Sequence, residues 1–356
     1  MAHPLFVALA LVASIQSAPP RASQVVTREA WVMGTRLGVV VEATSADQAG
    51  RAAENVVLEV ERFEHMLSTW HPQSEMHAVN TAAVGSPFTP GAELALLLAE
   101  AERYSRISGG AFDTRVGALV DAWDLRGSGV VPTTDALLGA LNASGSRAIS
   151  VDEHTGTVVR HSAAAWMDTG GFGKGAVLRS AAQGLESANI DRALIDLGGQ
   201  LWAQGSADEP WTVSVAHPIE RQHPVVHLAV HGVSVATSGT SERFIEIDGV
   251  RRGHILDPRT GQPSPSWGSV TVVSSDPVEA DAMATALYVM GPQTGLAWAE
   301  RQHRLHALFL QEKDGELTAS WTRGMEQWFI DPPVALAPEL RTHKHPTLTQ
   351  KGKNHR

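Results

Sequence analysis

The chain contains 356 residues, carries a formal net charge of −10 and has no cysteine. This length is sufficient for one large domain or two ordinary domains with a substantial hydrophobic core. The negative charge argues against a general nucleic-acid-binding surface. The absence of cysteine excludes disulfides, thiolate metal sites, cysteine nucleophiles and a lipid anchor on an N-terminal cysteine, so we expect an exported form to be soluble.

The N-terminal end has the composition of a targeting segment. Residues 1–15 contain an apolar run that is too short to span a bilayer, and small and proline-rich residues follow it, as in a signal peptide. No Lys or Arg precedes the run, and Gln16 occupies the −3 position of a cleavage site after Ala18. We expect residues 1–18 to be a signal peptide, and the protein to reach the periplasm or the outer face of the inner membrane.

The C-terminal end is also distinct. Residues 341–356 are basic and rich in histidine, and they contain no acidic residue. Such a composition cannot supply a hydrophobic core. We therefore expect a basic disordered tail at 338–356 and a folded domain at 24–335.

The first predicted elements of this domain are a hairpin and a helix. Residues 26–43 alternate apolar and polar side chains around 33–35, which indicates a hairpin or a bent strand. Ser45 and Gln48 form a capping-box pattern. An apolar face then continues to Leu67, which predicts an amphipathic helix.

Further along the chain, strands and separated helices alternate. A second amphipathic helix is predicted at 91–108, Asp135 is expected to cap a short helix, and a last clear helix begins after Pro277. The predicted strands lie at 147–151, 157–160, 192–197, 211–217, 224–237, 243–247, 269–275, 305–311 and 317–321. This pattern favours an α+β class over a regular βαβ repeat. We predict a single domain with two lobes, mixed or antiparallel strands and flanking helices.

The most informative segment is MDTGGFGKG at 167–175, which contains four glycines, Asp168 and Lys174 directly ahead of a helical pattern. Glycines let a backbone approach a ligand closely and present its N–H groups to phosphate oxygens. The following helix would add its positive N-terminal end, and Lys174 could reach the same anion. A tight turn between a strand and a helix is the plain structural alternative.

Two nucleotide-binding motifs can be compared with this segment. A Walker A loop requires glycine where Asp168 stands and a hydroxyl where Gly175 stands, so it does not match. Residues 171–176 do fit G-x-G-x-x-A, and Asp196 follows at the end of a later strand. A Rossmann dehydrogenase therefore stays open as an alternative, although only one βαβ-like unit is visible.

Two further constellations suit phosphate chemistry. Asp281 and Thr285 lie four residues apart and therefore share one helix face, where a carboxylate and a hydroxyl suit Mg²⁺. Alternatively, Asp281 only complements the helix N-terminus. The segment GHILDPRTG at 253–261 combines His, Asp and Arg around a turn, as phosphate chemistry would require, although turn chemistry alone explains part of it. Residues 236–243 offer hydroxyls at a strand end as a second candidate anion site.

Two segments could contact an aromatic ligand or its polar edge. Trp70 lies in the polar segment 68–75, where it could stack on a planar ring or fill a core position. Residues 111–113 follow a pair of glycines, and their backbone could hold a polar ligand edge. A helix C-cap followed by a turn explains these glycines as well.

Taken in order along the chain, these segments resemble the ApbE family of FAD:protein FMN transferases. The resemblance covers about residues 30–291 and is most specific at HILDPRTG and at the D-x-GG-x-x-KG block. It implies an ApbE-type α+β fold, FAD binding, dependence on Mg²⁺, and transfer of FMN through a phosphoester bond to a Thr or Ser of a target protein, with release of AMP. The family's targets resemble D-G-x-[ST] followed by small residues, often in redox-driven membrane complexes, so we expect an acceptor flavoprotein of this kind.

The resemblance also implies roles for single residues. The metal would bind the Gly171 carbonyl, Asp281 and Thr285. Lys174 would stabilise charge on the pyrophosphate, and His254 or Asp257 is the expected base. The residues that it places around FAD are Met33, Trp70, Ala111, Phe112, Asp113, Asp168, Lys174, His254 and Ile255.

The chain departs from the family pattern at two places, and two rival functions use the same site. Gly-Gly-Phe-Gly-Lys stands at 170–174 where Gly-Gly-Ile-Ala-Lys is usual, which removes a methyl group beside the lysine. Asp-Leu-Gly-Gly-Gln stands at 196–200 where Asn-Leu-Gly-Gly-Asn is common, which places a carboxylate near the anionic ligand. The rivals are an FAD pyrophosphatase that yields FMN and AMP, and a non-catalytic exported flavin-binding protein.

Overall fold

The structure is a computed structural model, and it describes residues 23–239, 244–247 and 250–331. The predicted signal peptide at 1–18 and the predicted basic tail at 338–356 lie outside the described residues. The end of the candidate anion site, at 240–243, does so too. Among the described helices, none combines the length and the apolar composition that crossing a bilayer requires.

Most strands of the described residues begin close to where the alternation pattern predicts them, but the pattern does not predict those at 87–88, 200–204 and 250–253. They are, in chain order, β1 (Gln24–Val32), β2 (Thr35–Ala43), β3 (Pro87–Phe88), β4 (Ile149–Val151), β5 (Val158–Arg160), β6 (Arg192–Leu197), β7 (Gln200–Gln204), β8 (Trp211–Ala216), β9 (Pro224–Val230), β10 (Val233–Gly239), β11 (Phe244–Ile247), β12 (Val250–Gly253), β13 (Gly268–Ser274), β14 (Leu305–Lys313) and β15 (Glu316–Trp321). The single strand predicted at 224–237 is wrong, because a turn at Gly232, where φ is +60°, separates β9 from β10.

Four long helices and one short helix lie where the sequence pattern predicts them, and the structure adds several short helices that it does not predict. They are α1 (Ala46–Leu67), α2 (Glu75–Thr81), α3 (Ala92–Ile107), α4 (Gly117–Ala122), α5 (Thr134–Asn142), α6 (Gly173–Ser187), α7 (Pro277–Met290), α8 (Pro292–Ala299) and the 3₁₀ helix η1 (Arg323–Trp328). The Ser45 cap of α1 is confirmed, since its side chain accepts a hydrogen bond from the Gln48 N–H. The cap expected at Asp135 is wrong. Thr133 caps α5 through the Ala136 N–H, and Asp135 lies in the first turn.

Eight strands form the central sheet, in the order β1-β2-β6-β7-β10-β13-β14-β15. Every neighbouring pair in this order is antiparallel. The Rossmann alternative is therefore wrong, because that fold requires a parallel sheet. β6, which follows the glycine-rich segment and α6, runs antiparallel to both of its neighbours, β2 and β7.

Both faces of the sheet are buried, since successive side chains of a strand point to opposite faces. In β14, Ala307 and Phe309 face the core that α1, α6 and α7 cover. Leu308 and Leu310 face a second core, which the β8–β9 hairpin and η1 cover. Each large side chain buried in this way contributes roughly 2 kcal/mol to stability.

A smaller lobe of α4 and α5 has its own hydrophobic cluster, which includes Leu119, Trp123 and Leu256. Trp123 Nε1 also donates to the Gly261 carbonyl oxygen at 2.7 Å. These contacts attach the HILDPRTG loop to the small lobe and place that loop beside the central sheet. The α+β class with two lobes is confirmed.

Candidate functional site

A cleft opens where the first turns of α6 and α7 meet the start of β7 and the end of β10. Its lining residues come from segments that are far apart in the sequence: Gly170, Lys174, Gly198, Gln200, Ala236, Thr237, Ser238, His254, Ile255, Asp281 and Thr285. Of the nine residues of the motif at 167–175, only Gly170 and Lys174 belong to this lining. The cleft thus brings together five segments that the sequence separates.

The start of α6 is the close-packed part of this cleft. α6 begins at Gly173, so the helix starts inside the glycine-rich segment, three residues before the predicted apolar pattern. A Cβ atom on Gly175 would overlap the carbonyl oxygen of Pro277 and the backbone of Val278. Only glycine therefore lets α6 approach the first turn of α7 this closely.

Asp281 is the buried acidic group of the cleft, with 5% of its surface exposed. Its Oδ2 accepts a hydrogen bond from the Gly175 N–H at 3.0 Å, and its Oδ1 accepts one from Lys174 Nζ at 3.1 Å. The helix-capping role belongs to Asp276, whose side chain accepts from the Val278 N–H at 2.9 Å. Asp281 therefore does not cap its own helix, and its carboxylate instead binds Gly175 and Lys174 of α6 in the cleft.

The metal ligands implied by the resemblance lie on adjacent backbone segments. The Cβ position of Gly171 is 3.6 Å from Thr285 Oγ1, and Thr285 Oγ1 is one turn from Asp281 along α7. A carbonyl, a carboxylate and a hydroxyl are the hard oxygen donors that Mg²⁺ prefers. No group of three or more His, Asp or Glu side chains that could hold a metal occurs among the described residues. The donor set with one carboxylate fits a cation that keeps some of its water.

Gln200 supplies an independent observation in favour of a polar ligand here. It is 1% exposed, and its Nε2 donates to the Pro277 carbonyl at 2.9 Å and to Ser234 Oγ at 3.2 Å. Its Oε1 is buried and has no hydrogen-bond partner in the described part of the chain. A buried acceptor without a partner is costly, so this oxygen suits a donor such as a ligand hydroxyl or a water molecule on a hydrated cation.

His254 and Asp257 were alternatives for the base, and the structure places them differently. His254 and Ile255 line the cleft together with Lys174. Asp257 does not line it, and its carboxylate accepts from Arg259 Nε and Nη2, each at 2.8 Å. This Asp257–Arg259 ion pair stabilises the turn of the DPRTG segment. His254 is therefore the candidate base that the fold brings to the cleft.

The hairpin and the residues after α3 support the cleft from one side. Met33 occupies the two-residue turn between β1 and β2 with φ of 51°, followed by Gly34 with φ of 67°, as in a type I′ turn. Met33 packs against the main core, while Ala111 and Phe112 are almost completely buried. The Phe112 ring contacts the position of Gly171. The side chains of Met33, Ala111 and Phe112 therefore belong to the core beneath the cleft and do not line the cleft itself.

Asp113 has a partner that the sequence did not indicate. Its carboxylate accepts from Arg115 Nε at 2.7 Å and from Arg115 Nη2 at 2.9 Å, and Arg115 is only 3% exposed. Arg115 also pairs with Glu102 at 2.6 Å, and burial raises the pKa of the Glu102 carboxyl. Asp113 lines a separate surface groove and does not belong to the lining of the main cleft.

Asp168 and Trp70 lie at the outer end of the glycine-rich segment. Asp168 Oδ1 accepts from the Gly170 N–H at 2.7 Å, and its Oδ2 accepts from Arg126 Nη2 at 2.7 Å. Trp70 is 68% exposed and therefore does not fill a core position. Asn80, in α2, forms two hydrogen bonds with the Met167 backbone, at 2.8 and 2.9 Å, and these hold the start of the glycine-rich segment.

Sequence reasoning missed the functional candidates that belong to no motif. Arg126 lies in the loop after α4 and Trp166 ahead of the glycine-rich segment, and neither has a spacing signal. Gln200 was visible only as a departure from the common Asn. Its unpartnered oxygen depends on the contact with α7, which no local pattern could reveal.

The comparisons with known proteins agree with the fold. The chain matches the ApbE family over residues 33–309. It is 32% identical over 303 residues to an FAD:protein FMN transferase of Treponema pallidum, covering 80% of this chain and 84% of that protein. A transferase of the same name from Klebsiella pneumoniae is 30% identical over 291 residues, covering 81% and 90%.

Solved structures give the same result. The ApbE protein of Thermotoga maritima superposes with a TM-score of 0.78 at 25% identity, over 86% of this chain and all of that chain. The apo flavinyl transferase ApbE of Pseudomonas stutzeri gives 0.75 at 26% identity, over 86% of this chain and 97% of that chain. Fold and sequence agree, and the protein belongs to the ApbE family.

Proposed function

We propose that this protein is a Mg²⁺-dependent FAD:protein FMN transferase that attaches FMN to a Thr or Ser of an acceptor protein and releases AMP. One observation carries the proposal. Lys174, Asp281 and His254 come from three distant segments and line one cleft at the start of α6. A cation, a metal-binding carboxylate and a proton acceptor are the groups that transfer at a pyrophosphate requires.

The cleft has the features expected of a pyrophosphate site. The first N–H groups of a helix and its dipole attract anions, and Lys174 is the second residue of α6. Lys174 is 31% exposed at its side chain, so it can reach a ligand while it stays close to Asp281. We infer that the FAD pyrophosphate lies against this end of α6.

The proposed metal site consists of the Gly171 carbonyl, Asp281 and Thr285. When bound there, Mg²⁺ supplies charge stabilisation at the pyrophosphate oxygens. The side chain of Asp281 is held in place by the Gly175 N–H, so its second oxygen stays directed to Lys174 and the cleft. Gln200 Oε1 accepts a hydrogen bond from the ligand or from its water.

The transfer step forms one phosphoester bond and breaks one phosphoanhydride bond. The acceptor hydroxyl oxygen attacks the phosphorus of the FMN half, and AMP leaves with the bridging oxygen. His254 takes the proton of the attacking hydroxyl, since an imidazole can accept a proton near neutral pH. Lys174 stabilises the negative charge that moves onto the leaving phosphate.

The acceptor and the compartment follow from the same proposal. We propose an acceptor flavoprotein with a D-G-x-[ST] motif, such as a subunit of a membrane redox complex. We also propose that residues 1–18 direct export, so that transfer occurs in the periplasm or at the outer face of the inner membrane. Comparing the N-terminal residue of protein from an exporting host with that of cytoplasmic protein tests the second statement.

The decisive experiment is to incubate the purified protein with FAD and Mg²⁺, with and without an acceptor that carries a D-G-x-[ST] loop. We expect an acceptor mass gain that matches FMN, stoichiometric AMP release, and loss of both after addition of a chelator. AMP release without a mass gain, for several acceptors, would favour the pyrophosphatase. Intact FAD in every reaction would leave only a flavin-binding protein.

A further inference from the structure

The turn after α1 carries an exposed tryptophan, Trp70, whose position is fixed by several contacts. Trp70 is 68% exposed, yet it follows α1 in a turn that Ser68 organises. Ser68 Oγ accepts from the Trp70 N–H at 3.3 Å and from the His71 N–H at 3.1 Å. The backbone of Trp70 is therefore positioned, although most of its ring is open to solvent.

The covered face of this ring lies on a guanidinium group. Arg126 Cζ is 4.4 Å from the centroid of the Trp70 ring and 4.2 Å from that of Trp166. Both distances are within the range of about 6 Å for a cation–π interaction. Arg126 Nη2 also donates to Thr69 Oγ1 and Asp168 Oδ2, each at 2.7 Å. Arg126 is thus placed between two aromatic rings and fixed at its edge.

Trp166 forms a rigid base for this arrangement. A Cβ atom on Gly117 would overlap the Trp166 ring, so the ring lies directly on the backbone at the start of α4. Trp166 Nε1 donates to Asp121 Oδ2 at 2.7 Å, which fixes the ring within its plane. The layers therefore follow one another as Gly117 backbone, Trp166, Arg126 and Trp70, with the outer face of Trp70 open.

The stack is connected to the cleft through one carboxylate. Asp168 binds Arg126 with Oδ2 and the Gly170 N–H with Oδ1, and Gly170 lines the cleft. We propose that Arg126 is a positioning residue, which holds Trp70 as a platform on which a planar ring of FAD stacks. The inference rests on the proposed function, because it requires FAD in the cleft. Arg126 acts through Trp70 and does not touch the reacting atoms.

The test is a double-mutant cycle on FAD affinity, measured by quenching of flavin fluorescence without an acceptor. We expect Arg126→Ala to weaken FAD binding about tenfold, with an unchanged kcat at saturating FAD. In the Trp70→Ala background, the same substitution should have little further effect. An Arg126→Ala effect that persists undiminished in that background, or an unchanged affinity in the single variant, would overturn the inference.

Matched variants separate this role from a general loss of structure. Arg126→Lys keeps the charge but not the planar group, and we expect it to recover only part of the affinity. Arg36→Ala removes an arginine that also forms an ion pair, with Glu29 at 2.6 Å, but lies outside the stack, and it should leave affinity unchanged. A lowered melting temperature for Arg126→Ala with wild-type FAD affinity would show a purely structural residue.

Binding of two fragments of FAD, namely FMN and AMP, shows which ring of FAD stacks on Trp70. If the flavin ring stacks on Trp70, Arg126→Ala weakens FMN binding and leaves AMP binding unchanged; if the adenine ring stacks, the reverse holds. Equal, unaltered binding of both fragments overturns the inference. Wild-type protein that binds FAD but transfers nothing contradicts the proposed function alone, whereas wild-type protein that binds no FAD contradicts both.

Discussion

The two ends of the proposed FAD site are built in different ways. At the charged end, Lys174 lies in the first turn of α6 and Asp281 in the second turn of α7, and the backbones of the two helices touch at Gly175. At the ring end, Trp70 and Arg126 lie in loops, and side-chain stacking holds them. The charged end therefore depends on main-chain packing, and the ring end on a few side chains.

This difference has a chemical reason. Transfer at a phosphorus atom requires charges at fixed positions, because electrostatic stabilisation depends on groups that do not reorganise during the reaction. Binding of a planar ring tolerates more variation, because stacking needs only a flat face at the correct distance. We therefore expect substitutions at the charged end to reduce the rate of transfer, and substitutions at the ring end to reduce affinity.

The largest effect is expected for Asp281→Ala. This change removes the one carboxylate of the proposed metal site, so transfer in Mg²⁺ should fall on the order of 10³-fold. The measurement is acceptor flavinylation at saturating FAD. Glu279→Gln, on the same helix and hydrogen-bonded to Ser274, is the control and should stay active. An unchanged rate for Asp281→Ala would exclude this metal assignment.

Lys174→Gln should separate the two roles of the lysine. Without its charge, transfer should fall about 10²-fold, because the leaving phosphate loses a stabilising cation. Lys174 Nζ also donates a hydrogen bond to Asp281 Oδ1 at 3.1 Å, an oxygen that the metal would use. In the absence of FAD, the variant should therefore bind Mg²⁺ more tightly than the wild type. Titration calorimetry with Mg²⁺ alone checks this point, and weaker binding would mean that the two cations do not compete for Asp281.

The two glycines at the start of α6 provide a matched pair. Gly175→Ala would force the helix away from Pro277 and should cost about 1–3 kcal/mol of unfolding free energy, together with activity. Gly173→Ala restores the residue usual in the family. Its Cβ would lie 3.5 Å from Leu67 Cδ1, an ordinary contact, so stability should change by no more than about 1 kcal/mol. Chemical denaturation of both variants is the measurement, and equal losses would contradict the packing argument.

The smallest effect is expected for Trp70→Ala at the ring end. Loss of the stacking platform should weaken FAD binding about tenfold, while Mg²⁺ affinity and the melting temperature stay at their wild-type values. Trp31→Ala, which removes another tryptophan that is 76% exposed, serves as the control. A reduced Mg²⁺ affinity in Trp70→Ala would show that the two ends are not independent.

Much of the fold and part of the cleft could be predicted from local patterns. The periodicity located α1, α3 and α6 and most strands of the sheet, because burial of one face or of alternating residues leaves a regular trace. It could not show the strand directions, and the match of 171–176 to G-x-G-x-x-A therefore left a Rossmann fold open. Only the antiparallel pairing of β6 with β2 and β7 excluded it.

The same limit applies to single side chains. Spacing alone placed Asp281 and Thr285 on one helix face, but it could not distinguish a metal ligand from a helix cap. The approach of α6 at Gly175 assigns the cap to Asp276 and leaves Asp281 facing Lys174. His254 and Asp257 were equivalent candidates until the turn paired Asp257 with Arg259.

By itself, the sequence determined the family, the α+β class and the chemical character of the cleft, because these depend on short motifs whose residues act together locally. The tertiary structure alone decided which motif residues meet, that Gln200 Oε1 is buried without a partner among the described residues, and that Arg126 lies against the Trp70 ring. These are contacts between residues far apart along the chain. They depend on how helices and strands pack, and packing leaves no periodic pattern in the sequence.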